Sequence, residues 1–203
     1  MTVAPLLALQ ALTNLATAPP GPGLPEGWEL QAVRGAPAPA FEVCEGSRLR
    51  ISTAGGAGFA AYRLPVPLAP GGVLIWEWRT DTPAREADLR QRELDDAPVR
   101  LFVLFDDGHA LFYSWGNREE PGVIFPSWTD RRRAVVVLRN ARHADGSWHL
   151  ERRDPFGDYR LAFARAPGSI VAVGVSADMD TLGGDSFAEV RGLAWEPIRP
   201  PSD

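Results

Sequence analysis

Residues 95–116 read DDAPVRLFVLFDDGHALFYSWG, a stretch in which two apolar runs flank one turn. The runs are 99–105 and 109–115. Asp107-Gly108 between them is a hairpin signal, because glycine takes the positive φ of a tight turn at little steric cost. Side chains alternate across a strand, so Val99, Leu101, Val103 and Phe105 share one face and Arg100, Phe102 and Leu104 the other. In the second run His109, Leu111, Tyr113 and Trp115 oppose Ala110, Phe112 and Ser114. Neither face is polar enough for open solvent. The hairpin is therefore either covered on both faces, or has one face in a core while the other lines a groove.

Outward from this pair the chain keeps reading as strands. Segments 28–33, 40–44, 49–53, 59–64 and 73–80 precede it, and 134–138, 148–153, 170–177 and 187–195 follow, with glycine or proline in most gaps. Segment 148–153 is expected to cross beside the central pair. Leu74, Trp76 and Trp78 share one strand face, which suits sheet packing first and a sugar-stacking platform second. Residues 83–93 lose alternation and become charged, as in a short exposed helix or an irregular loop. Tyr159, Ala162 and Phe163 have helical spacing and predict a short helix over one end. The expected fold is all-β, a two-sheet antiparallel sandwich of jelly-roll or concanavalin-like type over residues 24–198, with one short covering helix.

Residues 1–23 are expected to stand apart as an N-terminal tail. Within it 5–18 is apolar and Ala16-Thr17-Ala18 resembles a small-residue cleavage site, yet no basic residue precedes it. A signal remnant and a short helix both fit, followed by a Pro/Gly linker at 19–25. Gln10 and Asn14 interrupt the segment too early for a membrane span.

A chain of 203 residues with 45% hydrophobic content can bury one substantial core. Its net charge of −5 argues against a nucleic-acid partner, which draws a basic face. All its basic side chains apart from histidine are arginine, so Schiff-base and phosphate-loop lysines are excluded. Cys44 is the only cysteine, which rules out an internal disulfide and a multi-thiolate metal site; its alternating surroundings predict a buried strand position. His109, His143 and His149 lack metal-binding spacing, there is no GxSxG elbow, and residues 55–58 read as a glycine turn.

Three groups of residues carry candidate chemistry. Arg100 sits in an apolar strand and needs a charge partner if buried; Asp95 and Asp96 are nearest in sequence and predict structural ion pairs. Trp115, Trp128 and Trp148, beside Glu151 and Arg153, are the candidate ligand-binding set, with Trp128 in a long connection, 116–133, of the kind that overlies a groove. In the loop 178–186, Asp178, Asp180 and Asp185 offer oxygen ligands suited to calcium, while an Asx-rich turn explains the same residues without an ion. Carboxylate pairs for glycoside hydrolysis can be drawn from Glu77, Asp95, Asp96, Glu151 and Asp178, but sequence does not give their separations.

LPEGW at 24–28, the IWEWR strand, DDAPVRLFVLF, YSWG at 113–116, WHLERRDPFGDY at 148–159 and the DMDT loop, in this order and spacing, together resemble a bacterial family, the domain of unknown function three-zero-four-seven. The resemblance covers about 24–197. It implies that Trp76, Trp78, Asp96, Arg100, Trp115, Trp148, Glu151, Arg153, Asp158, Asp178 and Asp180 form one structural system. Members of that family often look exported, which implies a periplasmic or extracellular location ahead of a cytoplasmic one. The functional expectation is non-catalytic binding of a glycan or cell-envelope component, with no cofactor required and calcium optional. A carbohydrate-active hydrolase or lyase, and a structural or assembly domain, are the alternatives. Oligomeric state is open.

Overall fold

The turn expected at Asp107-Gly108 is present: Gly108 takes φ +82°, and Ala97–Phe105 and Ala110–Trp115 pair antiparallel with Leu101 opposite Tyr113. The computed structural model describes residues 9–198. In chain order the strands are β1 (Gln10–Ala11), β2 (Gly21–Pro22), β3 (Trp28–Ala32), β4 (Ala40–Cys44), β5 (Arg48–Ala54), β6 (Ala57–Leu68) and β7 (Gly72–Thr80). They continue as β8 (Ala97–Phe105), β9 (Ala110–Trp115), β10 (Ile124–Pro126), β11 (Arg133–Arg139), β12 (His149–Arg153), β13 (Ile170–Asp178) and β14 (Asp185–Pro197), with the helix α1 (Pro155–Phe163) after β12.

Two sheets result. The first runs β12-β7-β14-β5-β4-β2, with β1 also on β14; the second runs β10-β11-β9-β8-β13-β6-β3. Among the described residues pairing is antiparallel with one exception: β11 lies parallel to β9, Val135 opposite Phe112. A parallel return needs a long crossover, and the connection 116–132 supplies it.

The alternation of the central hairpin sorts its residues between two environments. Val99, Leu101, Val103, Phe105, Leu111, Tyr113 and Trp115 lie in the inter-sheet core with Trp76 and Trp78 of β7. Phe102, Ala110 and Phe112 point the other way and cluster with Phe59, Ala61 and Leu104 on the outer face of the second sheet. One face is core and the other lines a groove.

Gly174 of β13 makes that outer cluster possible. It is opposite Phe102 on one side and Ala61 on the other. A methyl group there would overlap the Ala60 carbonyl and come within 2.6 Å of the Phe102 ring. Gly174→Ala is therefore expected to cost about 1–3 kcal/mol through overpacking, read by urea denaturation. An unchanged midpoint would show that the ring moves aside freely.

Two expectations need correction, and a third resolves to the loop of its two alternatives. Segment β12 does not run beside the central pair; it is the edge of the first sheet, on β7, with Glu151 opposite Trp76. The described part of the N-terminal tail is not detached. Here β1 joins β14, β2 joins β4, and Leu12 and Leu15, each 5% exposed, enter the main core. Residues 1–8, where the signal-like stretch begins, lie outside the described residues. Region 83–93 is a loop ending in a 3-10 turn, pinned by buried Ala84, Ala87 and Leu89.

Candidate functional site

The outer face of the second sheet holds two adjoining cavities that share Phe59, Phe112 and Arg133. One, of about 220 Å³, is bounded by Phe59, Phe112, Trp128, Arg100 and the carboxylates Asp95, Asp178 and Asp180. The other, of about 240 Å³, continues over Phe102, Leu104 and Ala110 toward Arg132 and Arg133. Phe59, Phe102 and Phe112 form the floor, with ring centroids 5.6–6.1 Å apart. Ser127, Trp128 and Thr129, from the short turn between β10 and β11, form a wall.

Register explains the polar end. Asp178 closes β13 opposite Ala97 of β8, which brings the β13–β14 loop against Asp95 and Asp96. Arg100, only 5% exposed, donates to Asp95 Oδ1 at 2.6 Å and to Asp178 Oδ2 at 2.8 Å. Asp96 does not pair with it. Its two oxygens accept the Thr181 and Leu182 amides at 3.1 and 2.8 Å, so it anchors the loop. Burial pushes the Asp95 and Asp96 carboxyls above the usual carboxylate range, against the pull of Arg100 on Asp95 and of the two amides on Asp96. Partial burial and the neighbouring Asp178 push Asp180 the same way.

Asp96, Asp178 and Asp180 each place one oxygen within 4.8 Å of the others, a set that could hold a divalent cation. Asp185 is not part of it. That residue opens β14 opposite Ala54, on the first sheet. The loop curls back through Asp96 instead, a residue distant in sequence that no local spacing could reveal.

The tryptophans and their neighbours divide differently from expectation. Trp115 has no solvent exposure; its indole donates to the Asn140 carbonyl at 3.1 Å and packs edge-on against Trp78. Glu151 accepts from Trp78 Nε1 at 2.9 Å and Arg139 Nε at 2.6 Å, and the Nε of Arg153 donates to Asp158 at 3.0 Å. These three groups lock the core. Trp148 is half-buried, with the Arg79 and Arg191 guanidiniums 5.0 and 4.0 Å from its ring centroid. Trp128 alone of the set borders the groove, 42% exposed.

The groove residues absent from the expected set are Phe59, Phe102, Phe112 and Arg133. For Phe102 and Phe112 the signal is the missing polar face of the hairpin itself; Phe59 on β6 and Arg133 on β11 lie outside it and have no such signal.

A model of the family described as "Protein of unknown function (DUF3047)" matches residues 26–194. No curated protein matches the chain. Among solved structures, the xyloglucanase domain of NopAA, a type three effector from Sinorhizobium fredii solved with cellobiose, is similar with TM-score 0.55 at 8% identity, over 89% of this chain and 96% of that one. A family 29 carbohydrate binding module gives TM-score 0.46 at 9% identity, over 94% of this chain and 90% of that one. A family 11 module from Clostridium thermocellum gives 0.42 at 10%, over 87% and 91%. At such identities the first likeness shows a shared sandwich fold and nothing more.

Proposed function

The chain belongs to the family described as protein of unknown function (DUF3047), and we propose that its sandwich is a non-catalytic glycan-binding domain with the saccharide seated in the outer groove of the second sheet. One observation carries the reading: an aromatic floor and an exposed indole stand beside a fixed guanidinium and carboxylates in a single open groove. Sugar C–H faces stack on aromatic rings while ring hydroxyls need donors and acceptors held at set positions, and both are supplied here. The carbohydrate-related names of the fold neighbours agree with this reading without carrying it.

The two outer faces of the sandwich differ in the way the proposal needs. On the first sheet, Glu189 is fully buried under Arg48, Arg50 and Arg79, and Glu77 takes a two-pronged contact from Arg191. That face satisfies itself with its own charges. On the second sheet the Phe102 and Phe112 rings, 7% and 8% exposed, and the half-buried Phe59 lie at the bottom of a concave groove, the form that small-ligand sites take.

An all-oxygen donor set favours a hard divalent ion, of which calcium is the one that tolerates an irregular, flexible shell. In this reading it is an optional occupant at the acidic end and not a requirement. The hydrolase reading has the raised Asp180 carboxyl in its favour and the arginine against it, since Arg100 holds both Asp95 and Asp178. A free acid and a free base at catalytic separation are what that chemistry demands. A periplasmic or extracellular location, where glycans are met, accompanies the proposal.

Calorimetry against soluble gluco-, xylo-, manno- and aminosugar oligosaccharides tests it. Trp128→Ala is expected to weaken binding at least about tenfold, about 1.4 kcal/mol. Trp148→Ala, on the opposite sheet, should leave the affinity as it was. Binding that survives Trp128→Ala, or that fails across the whole panel, defeats the groove assignment.

A further inference from the structure

We infer that the groove selects an amino sugar with a free, protonated amine over its N-acetylated and neutral counterparts. The inference rests on the glycan reading above and names the chemical class of that ligand.

The groove lining is unbalanced in charge at one end. Asp95, Asp178 and Asp180 face it together with only Arg100 and Arg133, and Asp96 stands within 4.8 Å of Asp178 and Asp180 as a further carboxylate. Arg100 is already spent, one terminal nitrogen on Asp95 and the other on Asp178. Asp180 has no cation partner among the described residues; its side chain meets the Thr181 hydroxyl at 3.3 Å and the neighbouring Asp178 carboxyl. The groove therefore presents an exposed carboxylate beside a half-used one, next to an indole that carries the Arg92 guanidinium 5.3 Å from its ring centroid and keeps 42% of its surface exposed for a pyranose ring.

The floor beneath this end has a polar demand of its own. Ser176 is 1% exposed and stands between Phe59 and Arg100 in register, both of which line the cavity. Its hydroxyl, which can accept from an amine, has no partner among the described residues; the Arg100 Nε–H, also unpaired, is a donor and calls for a sugar oxygen rather than the amine. Unpaired buried polar atoms are costly, and their presence under a cavity points to a polar ligand or its bridging water above them.

An ammonium group suits this set better than a metal ion. It carries three donors and is satisfied by three acceptors, whereas calcium takes six to eight oxygens. Both oxygens of Asp96 already accept amides, and one of Asp178 is held by Arg100. Three acceptors can be found without dismantling those contacts. A full calcium shell cannot be assembled from these carboxylates alone.

The experiment compares the glucosamine hexamer, the N-acetylglucosamine hexamer and cellohexaose by calorimetry on the full chain, at low and high salt. The amine form is expected to bind at least about tenfold tighter than either neutral one, with the gap closing at high salt. Asp180→Asn should bring the ratio of amine-form to neutral-form affinity down toward one, and a ratio that stays at about tenfold overturns the inference. Equal affinities for all three overturn the amino-sugar inference and leave the glycan reading standing. No binding by any of them overturns the inference, and the glycan reading falls with it only if the xylo- and manno-oligosaccharides also fail to bind. A thermal midpoint that rises with calcium, and no longer does so in Asp180→Asn, gives the carboxylates to a metal and also overturns the inference.

Discussion

Replacing Arg100 by methionine is expected to destabilise the domain by about 3–5 kcal/mol, as breaking a buried ion pair from one side does. Methionine refills the space of the side-chain stem, so the loss is one of charge rather than volume. Asp95, 9% exposed, and Asp178 are left without their shared cation, and the strand end at Ala97 loses the tie that holds it to the β13–β14 loop. The pH dependence identifies the cause. Burial already raises the Asp95 carboxyl above its ordinary value, and removing Arg100 raises it further. A group whose folded pKa exceeds its unfolded one contributes stability that is fully present below the unfolded pKa, about 4, and is lost as pH rises through the folded value. The deficit of the variant should therefore be smallest in acid and grow toward neutral pH. Urea denaturation at several pH values measures it. A deficit that is small, or equal at all pH values, would mean that the ion triad contributes little and that Asp95 finds other partners.

How much of this was legible in the sequence depends on the range over which each signal acts. Strand positions followed from alternation and from glycine and proline, which are local, and the expected segments fall on β3 to β9 and β11 to β14 within a few residues. Asp95 was found as the Arg100 partner because five residues along a strand entrance bring the two together. Asp178 was missed as the second partner, since the register of β13 on β8 that delivers it is a long-range property. Chemistry alone does not rank the tryptophans. Trp115 and Trp128 are equally suited to stack on a sugar; what separates them is that one is on the inner face of β9 and the other on an exposed turn. The parity of a single residue along a strand decides this, and it can be read only once the sheet has an inside. The hairpin carried that information in a weaker form: Phe102 and Phe112 occupy positions where an ordinary surface strand would be polar.

Asp158→Leu provides the complementary test, with an expected loss of about 2–4 kcal/mol and no change in glycan affinity. Asp158 is 4% exposed and accepts the Tyr113 hydroxyl at 2.9 Å and the Arg153 Nε at 3.0 Å. Its removal orphans a phenol with no solvent exposure and frees a guanidinium that is largely covered. The cost should fall on the docking of α1, which begins at the Asp154 cap, buries Phe156 and Tyr159 against Phe105, and bonds to Asp107 in the hairpin turn through the Tyr159 hydroxyl. Burial and that Asp107 contact hold the Tyr159 hydroxyl at a pKa of about 12, so the link survives through neutral and mildly basic pH. Binding should be untouched because Tyr113 and Phe112 are consecutive residues on opposite faces of β9, one fixed to the helix through Asp158 and the other forming the groove floor. Denaturation curves and calorimetry on the same variant separate the two roles. If glycan affinity fell with stability, the core and the groove would be one cooperative unit, and the division of the hairpin into a structural and a binding face would be wrong.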